Sequence, residues 1–425
     1  MFKTLKNAWG IPELRQKLIF TAMILLVFRI GSFIPVPFVN TTSLSAYFDS
    51  LSGTIFEMYD AMSGSAFSMA TILALGIQPY INSSIIIQLL TIAIPALERL
   101  SKEGGEEGKK KINFITRCTT VALGLLMGWA YYMMMGKSGY GVINESGFLA
   151  GLVVVMTFAA GSCVVMWLGE QITEHGIGNG ISMILFANII SRIPSGVSTI
   201  VSMFTTKLWW QGLIAVVGMA AIVLLIIFVN DAERRIPVQY AKRVVGRKIY
   251  GGQSTNLPIK VAMTGVMPVI FAQSIASLPA TIYAFAGWST KSWMYTNIWS
   301  NNSAAYAIAY FLLIFFFSWF YSSIQYDPVE IANNLKKNGG FIPGFRPGKP
   351  TADFIKKVIN KIVVFGAVYL GIVALLPIIA GDLMTNFQNL AIGGTSVIIV
   401  VSVALETVKA LEAQMMMRHY KGFLD

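Results

Sequence analysis

Long apolar runs alternate along this chain with connectors rich in lysine, arginine and glycine. At roughly 20 residues per membrane crossing, the runs predict ten spans. They fall at about 18–38, 69–95, 112–135, 148–168, 177–194, 208–229, 258–283, 303–325, 356–380 and 389–411. Ahead of them, residues 1–17 set Lys3, Lys6, Arg15 and Lys17 among Phe2, Leu5, Trp9 and Ile11, the pattern of a short interfacial amphipathic helix. The stretch from Thr54 to Pro95 departs from this regularity. Residues 54–68 are apolar yet carry Glu57, Asp60 and a glycine–serine cluster. A carboxylate at the bilayer centre costs on the order of 2.5–3.5 kcal/mol on insertion scales. This piece therefore predicts a short helix folded back into the protein. Residues 69–95 are long enough to cross but are punctuated by Gly76 and Pro79. They hold Gln78, Asn82, Ser83, Ser84, Gln88 and Thr91, of which Ser84, Gln88 and Thr91 recur at i, i+4 and i+7 as one polar stripe. Ile77 and Ile81 also lie four apart on one face. Lipid cannot satisfy polar side chains, so the stripe faces protein or water. Interhelical hydrogen bonding and a pore lining both account for it.

Composition agrees with the pattern. Of 425 residues, 55% are hydrophobic and 12% charged, with mean hydropathy +0.65, which describes a polytopic membrane protein. Cys118 and Cys163 lie in apolar runs and offer no disulfide framework. Two histidines, His175 and His419, leave little room for histidine-based catalysis or metal binding. The first long run ends in Pro35 and Pro37 without a small-residue cleavage site and reads as a retained span.

Charge sets the topology. With the N-terminus, loops 96–111, 169–176, 230–257 and 326–355 and the C-terminal tail on one side, and basic residues near span ends counted with their loops, all but five of the 32 Lys and Arg residues fall there. Lys137, Arg192, Lys207 and Lys291 fall opposite, and Arg29 lies within a span. The basic side is the cytoplasm, so both termini are cytoplasmic. Ten spans divide near residue 205 into halves 1–205 and 206–425. An odd number per half gives opposite orientations, the arrangement of inverted repeats with a site at their interface.

Two basic loops exceed the usual 2–8 residues of a helix connection. Residues 230–258 predict a β-hairpin from the alternation at Ile236, Val238 and Tyr240, with Gly251 and Gly252 as punctuation. Residues 325–355 carry the turn-forming Gly344, Pro347 and Gly348 around Arg346. A topology signal needs charge alone, whereas length and aromatic content point to partner docking. No phosphate loop, HExxH, GxSxG or CxxC occurs. The glycines 176, 178 and 180 follow a membrane run beside Glu170 and Glu174, which suits a tight turn rather than phosphate binding. Neither an enzyme nor a cofactor is expected. A secondary transporter for a small solute is the rival reading, but such carriers use ionisable groups near mid-membrane. Here Arg29 is the clearest such group, while Glu406 and Lys409 lie near a span end.

The stretches FRIGSFIPVP, GTIFEMYDAMSGSAFS, ALGIQPYINSSIIIQLL, WLGEQITEHGIGNGIS, GFIPGFRPGKPTADFI and the closing YKGF resemble the bacterial SecY family over essentially the whole chain. The resemblance implies an all-α clamshell of two inverted five-helix halves with a plug, a lateral gate and a six-residue apolar constriction. It passes preproteins across the bacterial plasma membrane and releases apolar signal segments into lipid. By motif, the constriction is Ile77, Ile81, Ile181, Leu185, Ile270 and Ile399. The plug covers about 53–65, including Ile55, Phe56, Met58, Met62, Ser63 and Gly64. The gate lies between spans two and three and spans seven and eight, with Asn82, Gln88, Thr91, Thr116, Gln273 and Ser274. Arg243, Arg247, Lys248, Lys336, Lys337 and Arg346 are the docking residues. The implied partners are SecE, SecG, the SecA ATPase, the ribosome and its rRNA, and membrane lipid. Asn188 stands where this resemblance implies a small residue, and the sequence names no partner for it.

Overall fold

The computed structural model describes residues 2–50, 59–60, 62–102, 104–144, 147–205, 209–240, 243–245, 248–250, 254–263, 265–279, 282, 297–298, 303–383 and 394–421. The predicted plug residues Ile55, Phe56 and Met58, together with Arg247, Gly251 and Gly252, lie outside the described residues.

The first half begins with α1 (Phe2–Trp9), α2 (Pro12–Gly31) and α3 (Thr41–Ser50). Proline at the start of α2 fits a position whose N–H has no helical partner. Next come α4 (Gln78–Ala93), α5 (Pro95–Lys102), α6 (Gly105–Lys137), α7 (Phe148–His175) and α8 (Gly180–Thr205). Ile94 is extended because the residue before a proline disfavours helical geometry, and α5 turns away from α4 by 105°. The second half contains α9 (Trp209–Asp231), α10 (Met267–Ala276), α11 (Ala304–Gln325), α12 (Pro328–Lys337), α13 (Lys349–Leu383) and α14 (Gly394–Lys421). Asp327 caps α12 by accepting from the N–H groups of Val329 and Glu330, and Lys336 and Lys337 sit in its last turn.

Among the described residues, six helices are long and apolar enough to cross a membrane, seven if bent α4–α5 is one span. The outward faces stay apolar, as on α9, where Leu224 and Phe228 are exposed. The inner faces converge on one large core. It joins Phe28 of α2, Ile81 of α4, Val165 of α7, Ile184 of α8, Ile226 of α9 and Ile314 of α11.

Several sequence expectations are corrected. The second span, expected over 69–95, is helical only from Gln78, because residues 64–77 run through successive turns. Gly64 and Gly76 there have positive φ, and so do Ser65 and Ala70. The expected span 258–283 opens as a strand, and its helix begins only at Met267 and is interrupted after Ala276. Residues 169–176 are not a loop: α7 continues to His175. Loop 96–111 is also largely helical, in α5 and the start of α6. The fifth span passes Pro194 and continues to Thr205. The amphipathic helix ends at Trp9 and does not stand free: Ala8 is buried against Leu411, and Thr4 Oγ1 donates to Glu412 Oε1 at 3.1 Å.

The chain is also not wholly α. β1 (Glu233–Tyr240) pairs antiparallel with β4 (Ser254–Lys260), Ile236 opposite Leu257. On β1's other side lies β5 (Gly340–Phe341). The hairpin tip holds the short pair β2 (Arg243–Val245) and β3 (Lys248–Tyr250). The alternation seen in sequence is real, since Ile236 and Val238 are buried. Their partners come from the other long loop: Ala332, Ile342, Ala352 and Ile355. The two loops thus fold as one small α/β unit.

Candidate functional site

The six expected constriction residues come from four helices and the turn before α4. Ile77, Ile81, Leu185, Ile270 and Ile399 are each at most 3% exposed and belong to the large core, and half-buried Ile181 packs against it. Met62 joins the same cluster.

Residues 59–68 are seated against these helices by polar contacts that the sequence did not reveal. Asn188 Nδ2 donates to the Met62 carbonyl at 2.8 Å. That supplies the partner for a fully buried amide on α8. Gln78 Nε2 reaches the Met62 sulfur at 3.1 Å. Arg29 Nη1 donates to the Gly64 carbonyl at 3.3 Å, and its guanidinium lies 5.2 Å from the Phe33 ring centre. Arg192 Nη1 lies 3.3 Å from Asp60 Oδ2, an ion pair whose side chains are 15% and 10% exposed. Asp60 Oδ1 accepts from the Ser68 N–H at 2.8 Å. Tyr59 shares a hydrogen bond with Ser277 just past α10, and Tyr131 of α6 donates to the Phe67 carbonyl. The Phe67 and Tyr131 rings stack at 4.3 Å.

Gly64 is the pivot. At φ +65 an added Cβ would come within 2.7 Å of Arg29 Nη1 and 3.0 Å of Asn188 Oδ1 and Ser191 Oγ. Only glycine permits both that conformation and that approach. A signal for this seat was present in the chain: Asn188, Ser191 and Arg192 fall at i, i+3 and i+4 on an apolar run, with Asp60 and Arg29 as the unassigned charges. Nothing in sequence said that these three elements meet.

Of the expected gate residues, Gln273 and Ser274 are buried on α10, which packs against α4. Asn82, Gln88 and Thr91 are half-buried on α4. Gln88 Nε2 turns along its own helix to Ser84 Oγ at 3.4 Å, and Thr91 Oγ1 donates to the Gln88 carbonyl at 2.7 Å. Ser83 Oγ donates to the Thr116 carbonyl at 2.7 Å and ties α4 to α6. Gln88 Oε1, Gln273 Oε1 and Ser274 Oγ are buried without hydrogen-bond partners among the described residues.

The expected docking residues lie on the loop unit. Lys336, Lys337 and Arg346 are exposed, and Arg243 and Lys248 fall on the paired strands β2 and β3. Arg346 is held at a turn between Gly344 at φ +87 and Gly348 at φ +106. Its carbonyl accepts from Thr351 Oγ1 at 2.8 Å, and the adjacent Phe345 packs on Phe354 at 4.2 Å. A clamped backbone beneath an exposed guanidinium suits recognition of a carboxylate or phosphate.

Comparison with known proteins gives a single family. The SecY family model matches residues 71–408. The protein translocase subunit SecY of Streptomyces galbus is 44% identical over 438 residues, covering all of both chains. That of Thermotoga maritima is 41% identical over all of this chain and 98% of its own. The fold is shared with a solved protein-conducting channel at TM-score 0.66 and 18% identity, covering 94% of this chain and 92% of that one. Sec61 from a canine ribosome–channel complex superposes at TM-score 0.64 with 18% identity and the same coverage.

Proposed function

Because the chain belongs to the SecY family, whose members are protein-conducting channels and not enzymes, we propose that its residues 1–205 and 206–425 form two inverted five-span halves closing around a polypeptide path. The path narrows at Ile77, Ile81, Ile181, Leu185, Ile270 and Ile399. Such a ring excludes ions by dewetting yet deforms around an unfolded chain, because branched apolar side chains have no fixed polar partners to break. The segment from about 53 to 65 is the plug beneath it. The seam of α4 and α6 against α10 and α11 is the lateral gate through which an apolar signal segment leaves for lipid.

One observation carries this reading. Five of the six side chains and Met62 share one buried apolar cluster with Ile181 packed against it, while the backbone of residues 62–64 is held by polar groups at its edge. A small-solute carrier would keep ionisable groups free for coupling; here Arg29 and Arg192 are engaged by residues 60–64. Energy comes from a partner at the basic loop unit, the SecA ATPase or a translating ribosome, with SecE and SecG completing the channel. The setting is the bacterial plasma membrane with both termini in the cytoplasm. The test is ion leak from vesicles carrying Ile81→Ser together with Ile181→Ser. Leak well above wild type is expected, and conductance equal to wild type in a folded double variant sinks the ring.

A further inference from the structure

We propose that Lys409 of α14, bound to Asp231 where the β-hairpin leaves α9, passes a movement of the loop unit on to the ring; this rests on the channel and docking readings above and adds a positioning residue to them. α14 carries Ile399 of the ring. No glycine or proline falls between Ile399 and Lys409, so that stretch is one unbroken rod. Residues 399, 402, 403, 406 and 409 share one side of it. At 1.5 Å per residue, Lys409 lies about 15 Å along the helix from Ile399, toward the loop unit.

Lys409 Nζ reaches the last turn of α9. It pairs with Asp231 Oδ1 at 2.7 Å and donates to the Asn230 carbonyl at 3.3 Å. A cation is favoured there, because the final carbonyls of a helix lack partners. Asn230 Nδ2 in turn donates to Ser402 Oγ of α14 at 3.0 Å. The hairpin begins at the next residue, Ala232, whose carbonyl accepts from the Val261 N–H at 2.9 Å and ties the two feet of the hairpin together. The second foot meets α14 as well. A Cβ added to Gly265 would come within 2.8 Å of Glu406 Oε1, and Lys260 and Lys409 are the cations whose charge acts on that carboxylate. Beyond its feet the hairpin shares one core with residues of loop 325–355, so the unit moves as a packed body. The Lys409 and Asp231 side chains are 36% and 55% exposed, and a pair that open adds little to stability. What it adds is direction: a pull on the unit reaches Asp231, and through Lys409 it shifts the rod that carries Ile399. Without the pair, docking and the closed ring both survive, but the movement is not delivered.

The experiment uses the full chain with its partner subunits in vesicles, with the SecA ATPase and one preprotein. Three quantities are read: affinity of the ATPase for the vesicles, resting ion leak, and ATP consumed per preprotein imported. Lys409→Met and Asp231→Asn are each expected to raise ATP consumed per import about tenfold, with affinity and leak within about twofold of wild type. Lys409→Arg, which keeps the pair, and the exchanged pair Asp231→Lys with Lys409→Asp are expected to return within about threefold of wild type. Thermal unfolding establishes which variants are folded, and either single variant suffices for the first comparison. Wild-type ATP use in a folded single variant overturns the proposal. So does a loss of affinity large enough to explain the lost import, which would make the pair part of the docking surface. An exchanged pair as poor as the singles overturns it too, because the attraction between the two side chains would then not be what matters. The ring variant in the same vesicles separates the readings. If it leaks while the Lys409 and Asp231 variants behave as wild type, the coupling role fails and the channel reading stands. If it does not leak either, the channel reading fails with it.

Discussion

The seat of residues 59–68 and the seam between α4 and α10 are both polar places inside an apolar protein, and they are built in opposite ways. In the seat, carbonyls and charges from the reversal find side chains on α2 and α8: Met62 with Asn188, Gly64 with Arg29, Asp60 with Arg192. In the seam, Gln273 Oε1, Ser274 Oγ and Gln88 Oε1 are buried with no partner among the described residues. A buried hydrogen bond contributes about 0.5–1.5 kcal/mol, and an unmade one costs about 1–3 kcal/mol. The seat sets its cross-element contacts against its own unpartnered Asn188 Oδ1, Gln78 Oε1 and Arg192 Nη1, whereas Gln88 Oε1, Gln273 Oε1 and Ser274 Oγ have no contact of that kind across the seam among the described residues. A channel that opens sideways only on demand needs both properties. The seal must resist, and the seam must part at little cost once it is released.

The strongest way to break the contrast is at Gly64. Gly64→Val places a β-branched residue at φ +65 and drives it into Arg29, Asn188 and Ser191. The backbone conformation alone costs about 1–2 kcal/mol, and the clash adds to it. Resting ion conductance should rise far above wild type, and the segment should become accessible to a water-soluble thiol reagent through a cysteine at Ser65. A closed, inaccessible segment would mean that the seat is not what holds it.

A gentler change sharpens the other side. Gln273→Leu removes a buried amide whose oxygen has no partner among the described residues. It should stabilise the closed seam by about 1 kcal/mol and demand a more apolar signal segment, the opposite sign to Gly64→Val. Translocation measured over a series of signals of graded hydrophobicity checks this. A shift toward weaker signals would show that Gln273 makes a hydrogen bond that matters in the closed seam.

The smallest structural effect is expected at Arg346, remote from both places. Lysine preserves the charge that topology reads but not the planar fork that binds carboxylate or phosphate. Arg346→Lys should leave stability within about 0.5 kcal/mol of wild type, as for a surface site, and yet impair motor-driven import. Equal import by wild type and variant reduces the exposed turn to a topology signal.

Much of this was legible in the chain. Apolar periodicity and basic connectors gave the spans of α6, α7, α9, α11 and α13, because a helix must satisfy its own backbone in lipid. The alternation at Ile236 and Val238 gave β1, since burial on one sheet face imposes period two. The carboxylate at Asp60 forbade a crossing there, and Ile77, Ile81, Leu185, Ile270 and Ile399 of the large apolar cluster had been named by motif. Tertiary structure decided the rest. Whether residues 64–77 were helix or turns depended on Arg29 and Tyr131, which offer the Gly64 and Phe67 carbonyls partners outside a helix. That the two basic loops make one core depended on Ile236 and Val238 meeting Ile342 and Ile355, about a hundred residues away. Local sequence sets which groups must be buried or bonded. Which distant group satisfies them is fixed only when the whole chain has packed, as the pairings of Met62 with Asn188 and Asp60 with Arg192 show.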